Sequence, residues 1–141
     1  MPQPQGADVY RLAAGEEMAL AVNVHVDDGT ADKLIRNKRD GQVVRSVTAV
    51  MFYDEGSQHP GSVRIELPSG EIVGWVTRGD QKLAGKVLDA VSKARRRRDR
   101  NHPLVLEVSA QIVGARSKEG VEIDSVTIPI ASPVEATPLS K

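Results

Sequence analysis

The residues best suited to chemistry in this chain are cations. Between Lys93 and His102, six of them (Lys93, Arg95, Arg96, Arg97, Arg98 and Arg100) face a single carboxylate, Asp99. Guanidinium clusters of this kind neutralise phosphates and release counterions. Two readings stand side by side. Four successive helical residues sweep ~300° of the circumference at ~100° each, so Arg95, Arg96, Arg97 and Arg98 cannot all face one phosphate backbone. Cations are also favoured at a helix C-terminus by its dipole, which makes a solvated helix end the alternative to a phosphate contact. No aromatic residue interrupts the run, so base stacking is not expected there.

Other candidate groups are sparse. Only four aromatic residues are present (Tyr10, Phe52, Tyr53 and Trp75). Tyr53 precedes a polar loop and is the better candidate for an exposed ring. Trp75 reads as core, packed beneath a following helix against Leu83 and Val87, with stacking on a base as the alternative. Ser57, His59 and Asp54 hold the residue types of a hydrolytic triad but lack the strained nucleophile elbow such enzymes use. His25, Asp27 and Asp28 have no second histidine near them, and the strand alternation separates His25 from its neighbours. The glycines form neither G-x-G-x-x-G nor a Walker loop, and there is no cysteine. We therefore expect no catalytic residue, metal or cofactor.

The elements that must position these groups follow from periodicity. Met18 to Val26 alternates as a half-buried strand, and Val43 to Phe52 is a second, rich in valine and threonine. Between them Asp27, Asp28, Gly29 and Thr30 are capping types, followed by Ala31, Leu34 and Ile35 at helical spacing. After the loop Asp54 to Gly61, Val63 to Leu67 and Ile72 to Val76 flank Pro68, Ser69 and Gly70 as a hairpin. From Asp80 the period turns helical: Leu83, Val87, Leu88, Val91 and Ala94 share one face, with Lys82, Lys86, Asp89 and Lys93 opposite. Thr77 with Asp80 suggests a capping box, and Asn101 to Pro103 a stop. Leu104 to Ile112 and Val121 to Ile130 complete the strands across a turn at Gly114 to Gly120.

This pattern predicts a mostly β chain with α (α+β): a small antiparallel β-barrel, OB or SH3-like, with one long and one short helix. At 141 residues, a single domain over 18–131 is expected, with a loose N-terminal segment over 1–17 and a flexible tail over 132–141. Nineteen basic and nineteen acidic side chains cancel, so local fields rather than net charge govern encounters. Apolar stretches are too short to span a bilayer and the first residues lack signal-peptide features, so no membrane association is expected and the location reads as cytoplasmic.

Four segments together resemble a HIRAN domain across residues 20 to 115: Asn23 to Ile35 (NVHVDDGTADKLI), the valine strand ending near Tyr53, Gln58 to Ile65 (QHPGSVRI), and Ser69 to Ala84 (SGEIVGWVTRGDQKLA). Gly74, Trp75, Val76 and Arg78 are similar to that family's glycine, aromatic and arginine segment before a helix, and Pro60 with Val63 to the end of its loop. The loop departs from the pattern where Gly56, His59 and Gly61 stand at the family's asparagine and aspartate positions and Ser62 at its alanine. HIRAN domains occur alone in bacteria or fused to helicases, and the resemblance implies an OB-related barrel and a grip on single-stranded DNA or DNA ends. It implies here a non-enzymatic nucleic-acid-binding domain. Tyr53 and Trp75 would stack on bases, and Ser57 and His59 would make polar contacts. Arg64, Arg78, Lys82 and the Arg95 to Arg98 run would contact phosphates. The rival expectation is a protein-interaction module that kept the barrel, lost the DNA grip and holds a protein partner.

Overall fold

A computed structural model of the chain describes residues 3–36 and 39–139. The apolar alternation seen in the sequence becomes strands β2 (Met18–Val24), β3 (Gly41–Tyr53), β4 (Val63–Glu66), β5 (Ile72–Val76), β6 (Leu104–Ser117) and β7 (Gly120–Ile130). Each pairs antiparallel with the next in the order β3-β4-β5-β2-β7-β6, and β6 returns to β3, closing a six-stranded barrel. Closure removes most of the unpaired edges that an open sheet of this size would expose. Every second residue of these strands points inward: Leu20, Met51, Ile65, Leu106, Ile112, Ile128 and Ile130 are all essentially inaccessible.

Two helices pack their apolar faces onto the barrel core. Helix α1 (Asp28–Ile35) starts where the Asp27 carboxylate accepts the Thr30 N–H, an N-cap bond of 2.7 Å, and buries Leu34 and Ile35. Helix α2 (Gln81–Ala94) buries Ala84, Val87, Leu88 and Val91, which come round on one face at helical spacing. Gly74 permits the tightest joint of the barrel: a Cβ there would sit 2.1 Å from the Asn23 carbonyl oxygen, so any larger residue would prise β5 from β2.

The ends of elements differ from the sequence expectation in three places. The helix expected from Asp80 is preceded by a 3-10 turn over Arg78–Asp80, and Thr77 makes no side-chain cap bond. Instead the Asp80 carboxylate accepts the Ala21 N–H (2.8 Å) and ties the helix start to β2. At the other end α2 stops at Ala94 rather than near Asn101; Arg95 is extended and Arg97–Asp99 forms a 3-10 turn. The turn expected over Gly114 to Gly120 shrinks to Lys118 and Glu119, because β6 runs on to Ser117 opposite both β3 and β7.

The terminal segments, expected loose, both carry strands. β1 (Asp8–Leu12) pairs parallel with Leu104–Glu107 of β6, and β8 (Ala136–Pro138) pairs antiparallel with β1. Ala7 and Val9 pack on a small second cluster of Val50, Phe52 and Val105. That packing is set by residues nearly a hundred positions away, which no local period encodes. Among the described residues, no helix is long and apolar enough to cross a membrane.

Candidate nucleic-acid interface

The loop between β3 and β4 is held by its own polar groups. Asp54 N–H donates to the Ser62 carbonyl (2.9 Å), closing the loop's neck. Gly56 N–H donates to Asp54 Oδ1 and His59 N–H to Ser57 Oγ, both at 3.1 Å, while Ser62 Oγ donates to the His59 carbonyl at 2.8 Å. Ser57 therefore serves the loop's internal geometry. At the tip Gly61 adopts φ +81°, a left-handed conformation that favours glycine. The neighbouring Pro60 carbonyl accepts from Gln81 Nε2 (3.0 Å), so the loop rests on the first turn of α2.

An open cleft of about 540 Å³ lies at this junction, lined by Tyr53, His59, Pro60, Arg78, Gln81 and Lys82 among others. Arg78 and Lys82 stand four residues apart at the helix start, a spacing that puts them on one side. Both are exposed, neither forms an ion pair among the described residues, and no carboxylate lines the cleft. The N-terminal end of α2 adds its positive dipole to this field.

Tyr53 forms the boundary with a second cavity of about 580 Å³ along α2. Its hydroxyl donates to Asp89 Oδ1 (3.1 Å) and lies 3.3 Å from the Gly85 carbonyl. Burial and the Asp89 carboxylate push the phenol pKa up to about 12, so the hydroxyl stays protonated; 37% of the residue is accessible. The second cavity has a different character: Phe52, Leu88 and Leu104 give it apolar walls, and its charges are mixed, with Asp54, Glu55 and Asp89 beside Arg95, Arg100 and His102.

Arg64 and Trp75, expected at the same site, belong to a separate cluster. Arg64 Nε donates to Glu66 Oε2 (2.6 Å), its Nη1 lies 3.8 Å from Asp54 Oδ2, and its guanidinium sits 5.5 Å from the centre of the Trp75 ring. Trp75 Nε1 donates to Asp54 Oδ2 (2.9 Å), and His25 meets the ring edge-on at 5.5 Å. Trp75 thus does not pack beneath α2 against Leu83 and Val87. It stands half-buried, outside both hydrophobic clusters, because its indole N–H needs an acceptor and Asp54 supplies one. Glu66 is fully buried and only one of its oxygens is bonded, so it depends on Arg64 for charge compensation.

The arginine run is also divided. Arg95 is 4% exposed: Nη1 pairs with Asp8 Oδ2 (2.9 Å) and donates to the His102 carbonyl (2.8 Å), and Nη2 donates to Ser92 Oγ (2.7 Å). Burial acts to raise the Asp8 carboxyl, but the hydrogen bonds from Arg95 and His102 outweigh it and hold Asp8 below its ordinary value. Arg95 is therefore a clamp between β1 and the end of α2, its guanidinium committed to internal partners. Arg96, Arg97 and Arg98 are exposed. They lie past the far end of α2, and none of them lines the cleft that holds Lys82. None of Arg95 to Arg98 lines the cleft that holds His59, although Arg95 and Arg100 share the second cavity with Asp54, Glu55 and Gly56 of the loop.

Of the residues singled out from sequence, Tyr53, His59, Arg78 and Lys82 come together. Gln81, which docks the loop, and Asp54, which joins loop, arginine and indole, were not anticipated; an aspartate directly after an exposed tyrosine at a strand end was the available signal. In comparisons with known proteins, no family model, no curated sequence and no solved structure matches the chain.

Proposed function

We propose that the chain is a non-enzymatic nucleic-acid-binding domain that takes a single strand or a DNA end in the cleft between the β3–β4 loop and α2. One observation carries this reading: among the described residues Arg78 and Lys82 form no ion pair and no carboxylate lines their cleft, where they stand beside an accessible tyrosine ring. Cations without partners bind phosphates at no cost in broken ion pairs, and a neutral aromatic ring accepts any base face. His59 and the Gln81 amide supply hydrogen-bonding capacity at the rim. The succession of strand, short helix, strand, polar loop, hairpin and long helix supports a HIRAN-like assignment, as do Gly74, Trp75, Val76 and Arg78 at the hairpin's end.

Fluorescence anisotropy with a labelled single-stranded oligonucleotide tests the reading. Binding should weaken steeply with salt. The double variant Arg78→Ala/Lys82→Ala should bind more weakly at every salt concentration and lower the logarithmic salt slope by about 1.4, near 0.7 for each single-strand phosphate that is no longer neutralised. Absence of binding at low salt, or an unchanged slope in the double variant, would refute the assignment.

A further inference from the structure

The barrel closes along only part of β3. β6 pairs with it from Gly41 to Met51 on one edge, whereas β4 occupies the other edge only from Val50 to Tyr53. Successive residues of a strand direct their backbone N–H and C=O to opposite edges. The Asp54 N–H donates to Ser62, on the β4 side, and the pairing register of β3 runs without a shift, so even-numbered positions face that side throughout. Val44, Ser46 and Thr48 consequently direct their backbone groups to an edge on which, among the described residues, no strand is paired. Their side chains are exposed, Val44 to 60%.

This edge has a built surround. The end of α1 and the β4–β5 turn frame a cleft of about 460 Å³ lined by Lys33, Arg36, Arg45, Ser46, Thr48 and Ser69 among others. Arg36 caps α1 with φ +48°, is exposed and makes no ion pair among the described residues. The Arg45 guanidinium reaches only the Ile35 carbonyl, at a long 3.5 Å. Lys33 pairs on the surface with Glu71. Proteins commonly blunt exposed edges with cations. Cations of one sign repel a second copy of the same edge but attract an acidic strand.

We propose that the free edge of β3 docks an extended acidic peptide, which adds as a strand beside Val44 to Thr48 with its carboxylates on Arg36 and Arg45. Main-chain bonding to Val44 and Ser46 gives the affinity and the arginines select the charge. The site is separate from the proposed nucleic-acid cleft and does not depend on it.

The test is amide hydrogen exchange on the intact chain, with a synthetic eight-residue peptide alternating glutamate with valine or threonine as probe. In the chain alone the Val44 and Ser46 amides should exchange quickly; saturating peptide should slow them by at least about tenfold. A lysine-for-glutamate version of the peptide should not protect them. Ser46→Pro removes an outward N–H while sparing the ladder to β6, and should abolish protection. Arg36→Gly keeps the left-handed cap without strain and should weaken binding even if the proline variant fails to fold. The proposal is overturned if the acidic peptide gives no protection, if the lysine peptide protects equally, or if Arg36→Gly binds unchanged. Edge amides already protected in the chain alone, with sedimentation as a dimer, would assign the edge to a second copy instead.

Discussion

The two ends of α2 carry the same residue type and put it to opposite uses. At the start, Arg78 and Lys82 meet no carboxylate among the described residues and remain open to solvent; past the finish, Arg95 is enclosed by Asp8, Ser92 and the His102 carbonyl. A guanidinium becomes a ligand-binding group or a structural clamp according to what the fold brings within reach of it. Arg64 repeats the lesson beside the cleft, where Glu66, Asp54 and the Trp75 face occupy it fully.

The contrast is broken most severely at the clamp. Arg95→Ala removes the stronger partner of Asp8 and leaves it only His102, and chemical denaturation should show a loss of about 3 kcal/mol. Nucleic-acid affinity, measured where the variant is still folded, should be nearly unchanged. An equal fall in affinity would place Arg95 at the binding surface after all.

Next in size is the ring at the cleft's boundary. Tyr53→Ala should cost about 1–3 kcal/mol of single-strand binding by removing a stacking platform. Tyr53→Phe keeps the platform and gives up only the bond to Asp89, so its effect on binding and on stability should stay below about 1 kcal/mol in anisotropy and denaturation measurements. If both variants bind alike and weakly, the hydroxyl rather than the ring makes the decisive interaction.

The smallest effect is a pH dependence. The Asp8 carboxyl titrates lower in the folded chain than in the unfolded one, so the unfolded state binds its proton first as pH falls. The stability this contributes is complete above the ordinary carboxylate range, near 4, and is lost as pH drops through the lowered folded value. Stability measured against pH should therefore slope less steeply below pH ~4 in Asp8→Asn than in the parent chain. Parallel slopes would remove Asp8 from the acid response.

Much of the barrel is legible in short stretches of sequence. The alternation in Met18–Val24, the valines of β3 and the 3.6 period of α2 each report a face buried on one side, and burial on one side is a local pattern. The Asp27 cap of α1 is legible for the same reason, since its donor is three residues away. β1 and β8 are not legible: each is short, without a clear alternation, and stabilised by pairing with strands remote in sequence. The candidate site was legible in residue type, as Tyr53, His59, Arg78 and Lys82, but not in membership.

Residue order alone determined the six barrel strands, the two helices and the absence of thiol chemistry, because backbone periodicity and side-chain type act over a few positions. Only the folded chain decided which cations are free. Coulomb attraction acts through space, and the carboxylates that claim Arg95 and Arg64 arrive from β1, β4 and the β3–β4 loop, brought there by barrel closure.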